Sequence, residues 1–143
     1  YKRQDKALIG DLNPSAVELL QQNIANFLSK NTQPAEVEIL CQDGRKWRER
    51  VEFNHEVDLL LVNLPHQMLT HISDLLPLMR RHSPSLIRGW AIVEKTEMQN
   101  INDQLTKLFA DNGAINHNLT CSEVKGFSSS KSFVRVESWQ EFQ

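Results

Sequence analysis

Hydrophobic and polar positions alternate along this chain in two periods, and the periods separate its elements. The apolar run Ala7-Leu8-Ile9-Gly10 predicts a short strand. Asp11-Leu12-Asn13-Pro14 follows, with Asn13 suited to a helix N-cap and Pro14 to the first helical turn. Val17, Leu20, Ile24, Phe27 and Leu28 then recur at helical spacing, predicting a helix to about Ser29. Asn31-Thr32-Gln33-Pro34 breaks it. Val37, Ile39 and Cys41 alternate with Glu36, Glu38 and Leu40, predicting a strand that ends in the turn Gln42-Asp43-Gly44-Arg45.

A short helical turn is expected over 46–50 before the run VDLLLVNLP at 57–65. Its apolar residues predict a strand buried on both faces, and Pro65, which has no N–H, must stop it. Met68, Leu69, Ile72, Leu75, Leu76 and Met79 predict a helix ending near His82-Ser83-Pro84. GWAIVE at 89–94 predicts the next buried strand. Met98, Ile101, Leu105, Leu108 and Phe109 predict a third helix closed by Asn112-Gly113. Two strands, 115–124 and 132–138, read as an antiparallel hairpin around Gly126 and three serines. The order β-α-β-β-α-β-α-β-β implies an α/β, Rossmann-like, mainly parallel sheet with helices on both faces and a C-terminal antiparallel hairpin.

Composition narrows the class. At 143 residues the chain suits one domain, with 40% hydrophobic and 24% charged residues. A net charge of −2 gives no global attraction to nucleic acid, so RNA contact calls for a local basic patch or a separate domain. No apolar stretch has membrane length, and no signal-peptide pattern is present; a cytoplasmic location is expected. Cys41 and Cys121 read as plain buried or half-buried thiols. The chain opens on Tyr1 and a polar stretch, YKRQDK, and reads as a piece of a longer protein.

Candidate chemistry lies at strand ends. In open α/β sheets ligands bind beyond the carboxyl ends of the strands. Asp11 with Asn13, Asp43, and Asn63 should stand along one such rim. A carboxylate there can accept two hydrogen bonds from a ribose diol, and a second can accept an amino proton from adenine. Asn63 offers an acceptor and two donors to a planar base edge, with Leu64-Pro65 as an apolar wall. For each acid the plainer reading is a helix cap or turn former.

DLNPSAVELLQQNI at 11–24, DGR at 43–45 and VDLLLVNLP at 57–65 resemble the second, third and fourth motifs of class I S-adenosylmethionine-dependent methyltransferases. The trio D-L-N-P, D-G-R and N-L-P resembles more narrowly the archaeal and eukaryotic tRNA guanine-N1 methyltransferases and their wybutosine-synthesis relatives. The resemblance implies S-adenosyl-L-methionine as cofactor. It implies that Asp11, with Leu12 and Asn13, binds its ribose, and that Asp43 binds the adenine amino group with Gly44 giving room. Asn63 and Pro65 would border the methyl group and the incoming base, with RNA, most narrowly tRNA, as partner. That fold opens with a strand and a glycine-rich turn. Neither stands before Ala7, so the first β-α unit is expected to be missing from residues 1–143. The alternative is a non-catalytic methyltransferase-like module for protein or RNA binding. A nicotinamide-dinucleotide domain fits less well, since N-L-P has no role in it.

Other groupings carry less. Arg45, Lys46, Arg48 and Arg50 flank Trp47, and Arg80, Arg81 and Arg88 precede Trp90, an arrangement that can stack RNA bases. The plainer reading is solvated charge around partly buried tryptophans, with Glu49, Glu52 and Glu56 diluting the first cluster. His66, next to Pro65, is placed to line the site. His66 and His71 are not at the i, i+4 spacing of a helical metal pair, and no metal site is expected.

Overall fold

A computed structural model describes residues 6–30 and 36–143, with the backbone alone at 116 and 117. The polar opening at 1–5 and the break at Asn31-Thr32-Gln33-Pro34 lie outside the described residues. The elements follow the expected order β-α-β-β-α-β-α-β-β. The chain divides into two compact units, Tyr1–Lys46 and Trp47–Gln143.

The first unit is a β-α-β element: β1 (Lys6–Asp11), α1 (Pro14–Lys30) and β2 (Glu36–Cys41). The strands pair in parallel from Lys6↔Glu36 to Asp11↔Cys41. Asn13 caps α1 as its chemistry predicts: its Oδ1 accepts from the Ser15 N–H at 3.0 Å and its carbonyl from the Val17 N–H at 3.0 Å. The buried stripe is narrower than the period suggests. Val17 is buried and Leu20, Ile24 and Leu28 are half-buried, but Phe27 is 60% exposed. Two strands are too narrow to cover the whole apolar arc of a 17-residue helix.

The second unit holds β3 (Leu59–Val62), α2 (Met68–Leu75), β4 (Pro84–Glu94), α3 (Met98–Asp111), β5 (Ala114–Gly126) and β6 (Lys131–Phe142). Its sheet runs β3-β4-β6-β5. β3 pairs with β4 in parallel, and β6 is antiparallel to both β4 and β5. β4 and β5 therefore point the same way. The crossovers β3-α2-β4 and β4-α3-β5 both step across the sheet in one direction, so right-handedness sends both helices to one face. That face is the core: Met68, Ile72, Leu76, Met79, Ile87, Phe109, Val136 and Phe142 are inaccessible to solvent.

This arrangement corrects the reading of β3. Leu60 and Val62 are buried, but Leu59 and Leu61 are 45% and 56% exposed, because both helices of the unit lie on the opposite face. Two boundaries also differ. α2 stops at Leu75, and Leu76–Leu78 forms a 3-10 turn, because Pro77 has no N–H and its ring crowds the carbonyl four residues back. β4 starts at Pro84, five residues before Gly89. A proline is tolerated as the first residue of a strand, and the segment pairs with β6 along its whole length.

Gly89 lets α2 approach β4. A Cβ there would stand 2.6 Å from Met68 Cε, 3.1 Å from Met68 Cγ and 3.3 Å from the Val62 carbonyl oxygen. Met68 is fully buried, so its side chain cannot swing into solvent. Gly89→Ala is expected to cost about 1–2 kcal/mol, read as a lower midpoint in urea unfolding; an unchanged midpoint would show that the contact relaxes freely.

The thiols differ from each other. Cys121 on β5 is half-buried, as expected, and burial pushes its pKa up. Cys41 is exposed at the end of β2 and is not the buried or half-buried thiol expected of it. The thiolate is the nucleophile, so iodoacetamide should alkylate Cys41 well before Cys121 at neutral pH, as peptide mass spectrometry would show. Equal or faster labelling of Cys121 would contradict the burial.

Candidate functional site

Each strand end is built by local turn chemistry. At the end of β1, Asp11 Oδ1 accepts from the Asn13 backbone N–H at 2.8 Å, an Asx turn that leads the chain into the α1 cap. Asp11 is exposed, and among the described residues its Oδ2 has no partner. Leu12 is 68% exposed at the same tip, and its carbonyl lies 3.8 Å from Cys41 Sγ on β2.

At the end of β2, Asp43 starts the 3-10 turn Gly44–Glu49. Its Oδ1 accepts from the Arg45 N–H at 3.0 Å and its carbonyl from the Lys46 N–H at 3.0 Å. Its carboxylate also holds the Arg45 guanidinium in a forked pair, Nη2 to Oδ2 at 2.6 Å and Nε to both oxygens at 3.1 Å. The parallel register sets the ends of β1 and β2 side by side, so Asp11 and Asp43 share one end of the first unit. Both do the turn-forming work that is the plainer role for such residues. Asp11 keeps an oxygen open, whereas the Asp43 carboxylate is committed to its own Arg45.

Asn63, Leu64 and Pro65 follow β3 in the second unit. Asn63 and Leu64 are exposed and Pro65 is half-buried. The Asn63 amide has no hydrogen-bond partner among the described residues, so it is not a backbone cap. The loop around it is fixed. The Pro65 carbonyl accepts from the Ile92 N–H at 2.9 Å, and the Leu64 carbonyl from the Gln67 N–H at 2.8 Å. His66 is exposed, and its ring meets Phe127 edge-on, with centroids 6.0 Å apart and planes at 79°. Phe127 opens the β5–β6 turn. Sequence reasoning named His66 but missed Phe127, because the register of the hairpin against β4 decides where its tip lies, and pattern alone does not give that register.

The basic clusters are largely neutralised. Arg48 pairs with Asp74 at 3.0 Å, Arg50 with Glu52 at 2.7 Å, Arg80 with Asp58 at 3.6 Å and Arg88 with Glu137 at 2.7 Å. Arg81 donates to the carbonyls of Asn112 and Gln143. Trp47 and Trp90 are half-buried. The plainer reading of these clusters fits. His71 is buried in α2 with Nδ1 3.0 Å from the Gln67 carbonyl oxygen, and the described residues hold no cluster of three metal-ligating side chains. No helix among the described residues is long and apolar enough to cross a membrane.

No family model and no curated protein matches the chain. Solved structures do. TYW2 from M. jannaschii, in complex with AdoMet, superposes with a TM-score of 0.75 at 18% identity over 97% of this chain and 59% of its own. Trm5b from Pyrococcus abyssi gives 0.76 at 13% identity over 99% of this chain and 46% of its own. An arsenic(III) S-adenosylmethionine methyltransferase from Chlamydomonas reinhardtii gives 0.66 at 8% identity over 99% and 64%. The chain thus spans roughly half the length of these proteins. Over nearly its whole length this chain has the Rossmann-like α/β fold seen in these three proteins.

Proposed function

We propose that this chain is the greater part of an S-adenosylmethionine-dependent methyltransferase domain that methylates a base in RNA, most narrowly in tRNA. The observation that carries the reading is Asn63: an exposed amide, without a partner among the described residues, on a fixed loop at the carboxyl end of a parallel strand. Such an amide is costless to leave in water and useful against a planar base edge. The N-L-P resemblance and the likeness to TYW2 and Trm5b support the choice of acceptor. The arsenic(III) enzyme shares the fold, so the choice rests on the strand-end residues more than on the fold itself.

The residues present suit the donor's nucleoside. Asp11 Oδ2 accepts from the ribose hydroxyls while Oδ1 keeps the turn. Exposed Leu12 offers an apolar surface to the adenine, and Gly44 leaves room beside it. Asp43 is placed to accept from the adenine amino group in exchange for part of its pairing with Arg45. S-adenosylmethionine supplies a methyl group on a positively charged sulfur. The chain's own work is then positioning: Asn63 holds the edge of the acceptor base, and Pro65 keeps its loop from shifting.

One observation favours a second reading. Both acids are already accounted for by turn chemistry, and Asp43 is held by Arg45. A module that has kept the fold but not the donor would look like this, and would serve in protein or RNA contact.

The readings part in a titration. In the full-length protein, calorimetry should show donor binding, weakened about tenfold or more by Asp11→Asn, which retains the Oδ1 turn contact. Asn63→Ala should leave donor affinity intact and lower methyl transfer to bulk tRNA by about 100-fold, the scale of losing one positioned hydrogen-bonding group. Unchanged affinity in Asp11→Asn would refute the donor site, and an absence of donor heat in the wild type would favour the binding module.

A further inference from the structure

Two exposed rings, His66 three residues after Asn63 and Phe127 against it, have no part in the core. His66 follows Pro65 directly, and Phe127 is 53% exposed at the tip of the β5–β6 hairpin. They meet edge-on at 6.0 Å. An edge-on pair engages one ring's edge and the other's face, so ring faces remain unstacked.

Both rings stand on fixed backbone. The hairpin tip closes on itself through the Phe127 N–H to the Lys131 carbonyl at 2.9 Å and the Ser128 N–H to the same carbonyl at 3.1 Å. Ser128 Oγ accepts from the Lys131 N–H at 3.1 Å. The tip is tied to the end of β4 by the Lys95 N–H to the Ser130 carbonyl at 2.8 Å, with Glu94 and Lys131 paired at 3.8 Å. On the other side, the Pro65 carbonyl bond to Ile92 holds the segment that carries His66. A floppy tip would not keep a large apolar ring in water against one particular imidazole.

We propose that Phe127, held edge-on by the His66 imidazole, is an aromatic wall that stacks the planar base of the acceptor. This rests on the methyltransferase reading above and adds the part of the site that selects a flat heteroaromatic ring. Base–aromatic stacking tolerates sequence, so the wall gives affinity, while the Asn63 amide reads the base edge. The wall binds and positions; it takes no proton and forms no bond.

The test uses the full-length protein, labelled S-adenosylmethionine as donor and bulk tRNA as acceptor. Phe127→Leu keeps an apolar side chain but removes the π face, and His66→Ala removes the imidazole. Each is expected to raise KM for tRNA about tenfold or more, with donor affinity and melting temperature unchanged, and Phe127→Trp is expected to restore KM. If both variants transfer with wild-type KM, the wall is refuted while the methyltransferase reading stands. A fall in melting temperature with unaltered KM marks the pair as a hairpin clasp and also refutes it. If the wild type binds no donor, the reading beneath the proposal fails, and the proposal with it.

Discussion

The site depends on where β3 is forced to stop. Pro65 can accept a hydrogen bond but cannot donate one, so the ladder with β4 cannot continue through it. Its carbonyl takes the Ile92 N–H instead. This single bond pins the loop to the next strand while the two residues before it remain exposed. Asn63 is thereby presented on rigid backbone and kept out of the core. The fit of Met68 against Gly89 sets how closely α2 can lie on the sheet.

The order of elements was legible because each helix carried its own period and each strand its own run. Asn13 as a cap and Asn112-Gly113 as a stop were legible because capping is local, and Gly113 does take a positive φ of 91°. What escaped was non-local. Leu59 and Leu61 look like core residues in sequence, but which face is covered depends on the side to which the crossovers turn. Pro84 looked like a loop residue because its antiparallel partner, Glu141, lies more than fifty positions away. Among the site residues, Asp11, Asp43 and Asn63 were all placed correctly at strand ends. The forked pair of Asp43 with Arg45 was not foreseen, although the two stand only two positions apart. Sequence gives the residues at a turn, but not which of them spend their hydrogen bonds on each other.

The fold constrains donor chemistry more tightly than acceptor chemistry. Trm5b and an arsenic(III) methyltransferase both superpose on nearly the whole of this chain. Under the proposed reading, discrimination between acceptors falls to the few groups that project from strand ends and loops: here an amide, an imidazole and a phenyl ring. A site of this kind recognises shape and edge rather than charge.

Under the proposed reading the paired ends of β1 and β2 receive a nucleoside-bearing donor. Amide NMR of the full-length protein during titration with S-adenosylmethionine tests it most directly. The signals of residues 11–13 and 43–45 should move together, with a common midpoint. Perturbations that leave these two segments still, or fall at the opposite ends of β1 and β2, would contradict the donor site.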